Sequence, residues 1–208
     1  NAHPHIGGKG EVIVVHNGVI ENFQTLKERL NGEGYCFRSQ TDTEVLAHLI
    51  ESEYEGSLEQ AAARALPMVR GVYALVLLHR EEPQTLVAAR MGPPLVVGLS
   101  DGERFVASDV PALLHHTRDF LFLEDGDVAT VRPDRVDVRT LAGAIVTRSP
   151  QRVAASRASR RSPGSWPILR RFFSRWLISQ MLRLTGSPHS RPRSMPSRPD
   201  ASIAAKAR

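Results

Sequence analysis

The sequence is poor in cysteine and contains no long apolar segment. Cys36 is the only cysteine among 208 residues, so no disulfide can form within the chain, and a reducing, cytoplasmic setting is expected. No apolar run approaches the ~20 residues that a membrane-spanning helix needs, so no membrane span is predicted. The chain opens on Asn1 without an initiator methionine or a signal peptide, which predicts a fragment or a processed chain.

Acidic residues are almost absent from the last part of the chain. Up to Thr147 there are 13 Lys and Arg against 21 Asp and Glu, whereas from Arg148 onwards there are 14 against one. The net charge of +5 therefore combines an acidic first part with a strongly basic tail. Because the positive charge belongs to the tail, it does not predict a nucleic-acid partner for the rest of the chain.

Helix signals lie before residue 70 and strand signals follow it. Apolar residues recur at helical spacing over 20–30, and two capping-box pairs, Thr41 with Glu44 and Ser57 with Gln60, predict two more helix starts. From residue 71 onwards, short and nearly continuous apolar runs alternate with tight-turn signals, which predicts antiparallel strands covered on both faces. This order predicts an α+β layered domain.

Residues 144–208 have a different composition. They are rich in Arg, Ser, Pro and Ala and cannot bury a core, which predicts a disordered tail. Apolar residues within 167–185 can share one side of an amphipathic helix. The tail is explained either as a basic module that binds an anionic membrane or nucleic acid, or as out-of-frame coding sequence, and its composition favours the second explanation.

The stretch VIVVHNGVIENFQTL contains the first candidate for chemistry. Val12–Val15 predict a buried strand that stops at a turn formed by His16, Asn17 and Gly18. Asn-Gly permits positive φ and leaves an amide side chain and backbone N–H groups at the end of the strand, which suits an oxyanion pocket. The alternative is an ordinary tight turn in which His16 is a hydrogen-bonded core histidine.

Further motifs accompany this turn in a compact order. NAHPH lies upstream, and TDTEVLAHLI, RGVYALVLL, AARMGPPLVVGL, FVASDVPALL and FLEDGDVA follow downstream. Together they resemble the glutaminase domain of the glutamine–fructose-6-phosphate aminotransferases, which are class II amidotransferases of the N-terminal-nucleophile (Ntn) type. The resemblance covers residues 1–143, and NAHPH and FVASD are its more specific marks. It implies a four-layer αββα sandwich, glutamine as substrate and no cofactor.

The resemblance also implies roles for particular residues. Asn17, through its amide, and Gly18, through its backbone N–H, would form the oxyanion hole for the attacked glutamine amide. Asp42 would bind the α-ammonium of glutamine, although a position at a helix start explains this residue equally well. His3 and His16 would contribute to the substrate-binding wall.

The nucleophile of the family does not stand in this sequence. It is an N-terminal cysteine, and it is missing together with the RWATHG loop of the family. Cys36 is not expected to replace it, because an internal cysteine has no free amine and the flanking Tyr35 and Phe37 predict a structural strand. The chain is therefore expected to be a fragment, incomplete at the N-terminus, without the isomerase half and inactive alone. Fructose-6-phosphate would bind only through that missing half, and full-length relatives are expected to be homo-oligomers.

Other interpretations of the sequence remain open. His3, His5 and His16 suggest a metal site, but no carboxylate or cysteine recurs at ligand spacing and Pro4 holds the first pair in an extended segment, so none is predicted. The chain could instead be the glutaminase part of another class II amidotransferase, such as the purine-pathway phosphoribosyl enzyme. A non-catalytic basic module that binds membrane or nucleic acid is the alternative from a different class.

Overall fold

The early helices and the later apolar runs form a layered α+β structure. The computed structural model describes residues 3–154, in which short 3-10 helices occur at Leu66–Met68 and Val110–Ala112. The other elements, in chain order, are β1 (His5–Ile6), β2 (Val12–Ile20), α1 (Phe23–Gly32), α2 (Asp42–Ser52), α3 (Leu58–Ala65), β3 (Gly71–His79), β4 (Leu86–Met91), β5 (Val96–Ser100), β6 (Glu103–Ala107), β7 (Asp119–Phe122), β8 (Asp127–Val131), β9 (Val136–Thr140), β10 (Ile145–Val146) and β11 (Gln151–Arg152).

The strands form two antiparallel sheets. Seven strands form the first sheet in the order β1-β2-β3-β4-β8-β9-β10, and four form the second in the order β11-β7-β5-β6. Each strand pair in the described part of the chain is antiparallel. The chain therefore leaves the first sheet after β4, builds most of the second sheet, and returns as β8 beside β4.

The seven-stranded sheet is covered on both faces at β3. Along β3, Tyr73, Leu75 and Leu77 pack in one core with the helices, whereas Ala74 and Val76 pack in a second core with the four-stranded sheet. Side chains alternate across a strand, so a strand buried on both faces needs an unbroken apolar sequence. This confirms the predicted two-sided cover for β3, whereas β9 alternates between buried and exposed residues and is covered on one face only.

The outer face of the four-stranded sheet is covered by the loop after the second 3-10 helix. A Cβ placed on Gly98 would lie 2.8 Å from Thr117 Cγ2 and 3.2 Å from Leu113 Cδ1. The loop therefore lies directly on β5 because the residue beneath it has no side chain.

Strand β2 runs through the segment for which the sequence predicts a turn. It spans Val12–Ile20, and residues 16–18 oppose residues 73–75 of β3. The predicted turn is wrong, because the ladder with β3 keeps the segment extended. Gly18 has φ of +143° within the strand, and a Cβ there would collide with the carbonyl oxygen of Val72. Glycine is thus required by the close approach of β3 rather than by a turn.

The predicted helix starts are correct, but one cap differs from the prediction. Thr41 is the N-cap residue of α2, yet its side chain accepts no cap hydrogen bond, and Glu44 binds a preceding loop instead. Ser57 caps α3 by accepting from the N–H of Gln60 at 3.4 Å. None of the helices within residues 3–154 is long and apolar enough to cross a membrane.

Residues 35–37 form no strand, which corrects the sequence prediction. The centroids of the Tyr35 and Phe37 rings lie 5.2 and 4.6 Å from that of the His48 ring on α2. The aromatic side chains therefore pack on a helix, and three residues are too short a pattern to distinguish the two environments. Cys36, between them, is an exposed free thiol.

The fold continues beyond residue 143, where the sequence predicts that the tail begins. β10 pairs with β9 and β11 pairs with β7. Between these two strands, the guanidinium of Arg148 donates to both carboxylate oxygens of Asp127 at 2.9 Å. Residues 144–154 are thus attached to both sheets. The amphipathic helix predicted near 167–185 and the remainder of the predicted tail lie outside the described residues.

We expect Gly18→Ala to destabilise the fold by about 3 kcal/mol, because it adds a positive-φ penalty to a steric collision with β3. Gly102→Ala is the matched control, since Gly102 also has positive φ but no atom within 4 Å of an added Cβ, and it should cost about 1 kcal/mol. Urea unfolding of both variants measures the difference. Equal losses of unfolding free energy in the two variants would show that the collision with Val72 does not contribute to the destabilisation.

Candidate functional site

The residues proposed for chemistry gather where β1, β2 and the start of α2 meet. β1 pairs with β2 so that His5 lies opposite Val14. α2 begins at Asp42 and packs on β2 through the helix-side core. The site is thus built from the edge of the seven-stranded sheet and one helix end.

Asp42 joins α2 to the end of β2. Its Oδ2 accepts a hydrogen bond from the backbone N–H of Ile20 at 2.9 Å. Asp42 is the first residue of the helix and Thr41 is its N-cap, so this carboxylate reaches out to the strand. A hydrogen bond from an N–H to a charged acceptor is among the stronger ones, and it fixes the carboxylate two residues beyond Gly18.

His16 is buried on the helix side of β2. It is 3% exposed, and its Nδ1 lies 3.0 Å from Thr43 Oγ1 on α2. Its Nε2 has no hydrogen-bond partner within the described part of the chain. Burial lowers the pKa of His16 to about 4, and the nearby His3 and His5 add to this while the Asp42 carboxylate opposes it. His16 is therefore neutral at pH 7.

His3 and His5 lie beside this group. Their rings are perpendicular, with centroids 5.4 Å apart, and the His5 ring nitrogens lie 3.3 and 3.4 Å from Thr41 Oγ1. Burial lowers the pKa of His3, as does the neighbouring His5, while Asp42 raises it. His3 and His16 are therefore neutral at pH 7 beside Asp42, and Glu44 lies near His5 as a second carboxylate.

Asn17 and Gly18 lie on the same strand, on its more open part. Asn17 is exposed and Gly18 is half-buried. Val19 and its partner Val72 on β3 are 59% and 46% exposed, so this end of the sheet is uncovered on the face opposite the helices. The Asn17 amide is thus accessible, in contrast to the buried imidazole that precedes it.

The structure places His3, His16 and Asp42 close together, and it places Gly18 and Asn17 next along β2, with the Asn17 side chain on the opposite face of the strand. Asn17 and Gly18 follow His16 on β2, and the pKa of His16 responds to both His3 and Asp42. Cys36 lies outside this group, in the irregular segment before α2. No cluster of His, Cys, Asp or Glu within residues 3–154 has the arrangement of a metal site.

Sequence reasoning missed a set of polar residues that α2 buries. The prediction named only an apolar face, yet nine successive residues of this helix are buried, and four of them are polar: Thr43, Glu44, His48 and Glu51. Their spacing was the available signal, because three of the four recur at helical intervals on one side. A polar helix face of this kind is buried only when it has partners to bind.

A cavity of about 550 Å³ lies elsewhere, along β9 and β10. Its polar lining includes Arg132, Arg139, Arg148 and Glu59. Arg139 and Arg132 each pair with Glu59, and Arg148 pairs with the neighbouring Asp127 and Glu124. These charged side chains are therefore paired with one another at the edge of the sheet. The cavity shares no residue with the site on β2.

Comparison with known sequences identifies the family. A model of the glutamine amidotransferase domain matches residues 1–115, more than half of the chain. The chain therefore belongs to the glutamine amidotransferase domain family. This fits a site that combines a half-buried carboxylate with the accessible side chain of Asn17.

Individual relatives show which members of the family this chain is similar to. The glutamine–fructose-6-phosphate aminotransferase (isomerizing) of a Thermus thermophilus strain is 53% identical over 148 residues, which cover 71% of this chain and 24% of the relative. The corresponding enzyme of Escherichia coli is 49% identical over 150 residues, with the same coverage of both chains. The corresponding enzyme of Aquifex aeolicus is 46% identical over 148 residues, which cover 71% of this chain and 25% of that enzyme. The chain thus spans about a quarter of the length of these relatives.

Solved structures agree on the fold. The glutamine phosphoribosylpyrophosphate amidotransferase of B. subtilis matches with a TM-score of 0.55 and 26% identity, over 64% of this chain and 30% of that one. A structure described as the allosteric regulatory enzyme of purine biosynthesis matches with a TM-score of 0.56 and 25% identity, over 67% and 30%. The predicted resemblance and the predicted α+β fold class are both confirmed.

We expect His16 to make the fold sensitive to acid. Its pKa is lowered in the folded state, so the unfolded chain binds a proton first as the pH falls, and stability declines between about pH 6.5 and pH 4. From pH 7 to pH 5 this residue alone should cost about 2 kcal/mol. Urea unfolding of His16→Gln at both pH values should give a correspondingly smaller loss than the wild type. Parallel losses in the two proteins would contradict the assignment.

Proposed function

We propose that this chain provides the glutamine-binding part of a glutaminase that belongs to the glutamine–fructose-6-phosphate aminotransferase type. The proposal rests chiefly on the carboxylate of Asp42, which is anchored to Ile20 on the strand that also carries Asn17 and Gly18. An anion and a pair of amide donors are the two groups needed at the two ends of a glutamine molecule.

The spacing along β2 supports this arrangement. A strand rises about 3.4 Å per residue, so Gly18 and Ile20 lie about 7 Å apart along it. An extended glutamine measures about 6 Å from its α-nitrogen to its side-chain amide oxygen, because each of the five bonds between them advances the zigzag chain by about 1.2 Å. A ligand whose ammonium contacts Asp42 near Ile20 can therefore place its amide oxygen near Gly18 and Asn17.

The donor groups suit the reaction proposed for this end of the site. Attack on the glutamine amide carbon places negative charge on the amide oxygen, and preorganised N–H donors stabilise that charge. The side-chain amide of Asn17 and the backbone N–H of Gly18 would supply two such donors. The accessibility of Asn17 allows a substrate to approach from the uncovered face of the sheet.

The carboxylate suits the other end. Asp42 uses Oδ2 for the N–H of Ile20, and an ionised carboxylate has further lone pairs that can accept from an ammonium group. His3 and His16 would line the pocket wall as neutral groups, since burial lowers the pKa of each. Neutral imidazoles add no repulsion to a cationic ligand.

The nucleophile of this chemistry is proposed to be the N-terminal cysteine thiol of the family. Cys36 is not a candidate, because it is exposed in the segment before α2. The assigned residues would therefore bind and polarise glutamine, while the thiol of a preceding segment would attack it. Hydrolysis of the resulting thioester would release glutamate after ammonia has left.

Sequence identity favours the aminotransferase type over the phosphoribosyl type. The aminotransferase relatives are 46–53% identical, whereas the phosphoribosylpyrophosphate enzyme that shares the fold is 26% identical. Under this proposal ammonia would pass to fructose-6-phosphate, bound by an isomerase half, in a cytoplasmic homo-oligomer. Neither nucleic acid nor membrane is part of the proposed function. The proposed amidotransferase domain comprises residues 1–143 together with β10 and β11, which pair with its strands.

A fusion tests the proposed roles. The chain is joined to the Cys-initiated segment of the Thermus thermophilus relative, and glutaminase activity is measured by release of glutamate. Asn17→Ala should lower kcat and kcat/KM together by ~10²-fold, because its hydrogen bond strengthens as charge develops on the oxygen. Asp42→Ala should instead raise KM by roughly tenfold or more, because the substrate ammonium carries the same charge in the ground and transition states.

The contrast between these two variants is more informative than loss of activity, which misfolding could also cause. A fusion without glutaminase activity, or identical kinetic profiles for the two variants, would contradict the assignment. Circular dichroism of each variant controls for folding.

We expect Cys36→Ser to leave kcat and KM of the same fusion within about twofold of the parent, since an exposed thiol away from the site contributes little to stability or binding. Loss of turnover in this variant would identify Cys36 as the nucleophile and would overturn the proposed origin of the thiol.

A further inference from the structure

Helix α2 buries two carboxylates that the proposed chemistry does not use. Glu44 is 5% exposed and Glu51 is 3% exposed, with His48 at 1% between them on the same side of the helix. Burial of a charge is costly unless the charge is paired or hydrogen-bonded, so each carboxylate needs compensating contacts. The contacts of Glu44 lead directly to the site.

Glu44 binds the loop that precedes its own helix. Its Oε1 accepts from the backbone N–H of Arg38 at 2.8 Å, and its Oε2 accepts from the N–H of Ser39 at 2.6 Å. The Ser39 hydroxyl donates to Oε2 as well, also at 2.6 Å. Three donors therefore converge on one carboxylate and hold two consecutive residues of the loop.

The electrostatics show that these bonds outweigh burial. Burial pushes the pKa of Glu44 upwards, but the hydrogen bonds from Ser39 and Arg38, with the nearby His48, bring the pKa below its usual value. Glu44 is therefore ionised at neutral pH. The bonds are charge-assisted, which makes them stronger than bonds between neutral groups.

The loop held by Glu44 leads into the N-cap and Asp42. Ser39 Oγ lies 2.9 Å from Thr41 Oγ1 and 3.3 Å from the Thr41 backbone nitrogen, which donates to it. Thr41 makes no side-chain cap bond to its own helix, so the entry of the chain into α2 is fixed by Glu44 in the first turn and by Ser39 in the preceding loop. Asp42 is the next residue, and its position against Ile20 depends on that entry.

We infer that Glu44 is a positioning residue for glutamine recognition: by holding Arg38 and Ser39 it sets the start of α2, and thereby the place of the Asp42 carboxylate that takes the substrate ammonium. The inference rests on the proposed function of Asp42. It gives Glu44 no contact with the substrate, so its effect is confined to the ammonium end of the ligand.

A pair of ligands isolates that effect. L-Glutamine and glutaramic acid share the side-chain amide and a carboxylate, but glutaramic acid has no α-ammonium. The ratio of their Kd values, measured by calorimetry on the full 208-residue chain at pH 7, therefore reports the ammonium contact. A charge-assisted bond predicts a preference for L-glutamine on the order of tenfold or more in the wild type. A partly unfolded variant loses sites for both ligands equally, so the ratio is insensitive to general destabilisation.

Glu44→Gln should reduce this preference by roughly fivefold or more, because the neutral amide weakens the acceptor and turns an NH2 towards the donors of the loop. Hydrogen exchange of the Ile20 amide should also accelerate, since its acceptor Asp42 is no longer held in place. Ser39→Ala, which removes only the hydroxyl donor, should reduce the preference by a smaller factor. If Glu44→Gln does not fold, the ligand preference of Ser39→Ala tests the inference in its place.

Glu51→Gln is the matched control. Glu51 lies on the same helix and is similarly buried, but its Oε2 accepts from the backbone N–H of Lys9, in the loop between β1 and β2 about two helical turns further along α2. This variant should lose stability while it keeps the ligand preference and the protection of the Ile20 amide.

The outcomes separate the inference from the proposal beneath it. A wild-type chain without preference for L-glutamine, or an Asp42→Asn variant that keeps the preference, would overturn the proposed function and the inference with it. The inference alone would be overturned if the wild-type preference disappears in Asp42→Asn but persists in folded Glu44→Gln. If Glu44→Gln does not fold, persistence of the preference in Ser39→Ala would overturn it. An equal loss in Glu51→Gln would also overturn it, because the effect would then be general to buried charge on α2.

Discussion

The ladder between β2 and β3 is the constraint on which the rest of the structure depends. Nine residues of each strand pair without interruption, from Val12 opposite His79 to Ile20 opposite Gly71. This ladder lies one strand in from the β1 edge of the seven-stranded sheet and separates the helix-side core from the core between the sheets. β1 and α2 are both attached to β2, so the candidate site has a rigid strand as its base.

Polar groups around that strand are arranged so that a half-buried carboxylate lies at its end and an accessible amide lies three residues before it. The Asp42 carboxylate is held by Ile20, and burial keeps the imidazole of His16 neutral beside it. Glu44 in turn holds the loop before α2 through three donors. The geometry of the candidate site therefore depends on backbone contacts, since each of these acidic side chains is oriented by an N–H group of another segment.

Features determined by local sequence were predictable, and features determined by distant pairing were not. Apolar runs bounded by turn signals predicted the strands after residue 71, because their pattern needs no knowledge of partners. The order of the motifs identified the family and, through it, the residues of the site. The extended backbone at Asn17 and Gly18 depends on β3, more than fifty residues away, so a local preference for a turn was misleading. The ion pair between Arg148 and Asp127, which secures the chain beyond residue 143, is non-local in the same way.

The excursion of the chain through β5, β6 and β7 before it returns as β8 bears on how the molecule folds. The β4–β8 ladder joins Leu86 to Val131, and the β2–β3 ladder joins Val12 to His79, so both central pairings close loops of 45 and 67 residues. The chain must lose the conformational entropy of closing these long loops before the ladder contributes any stabilising contacts. Topologies of this kind fold in roughly milliseconds to seconds. The β5–β6 hairpin pairs residues close in sequence and can form early. The β2–β3 and β4–β8 ladders, the first of which carries the candidate site, would then be among the last parts of the molecule to assemble.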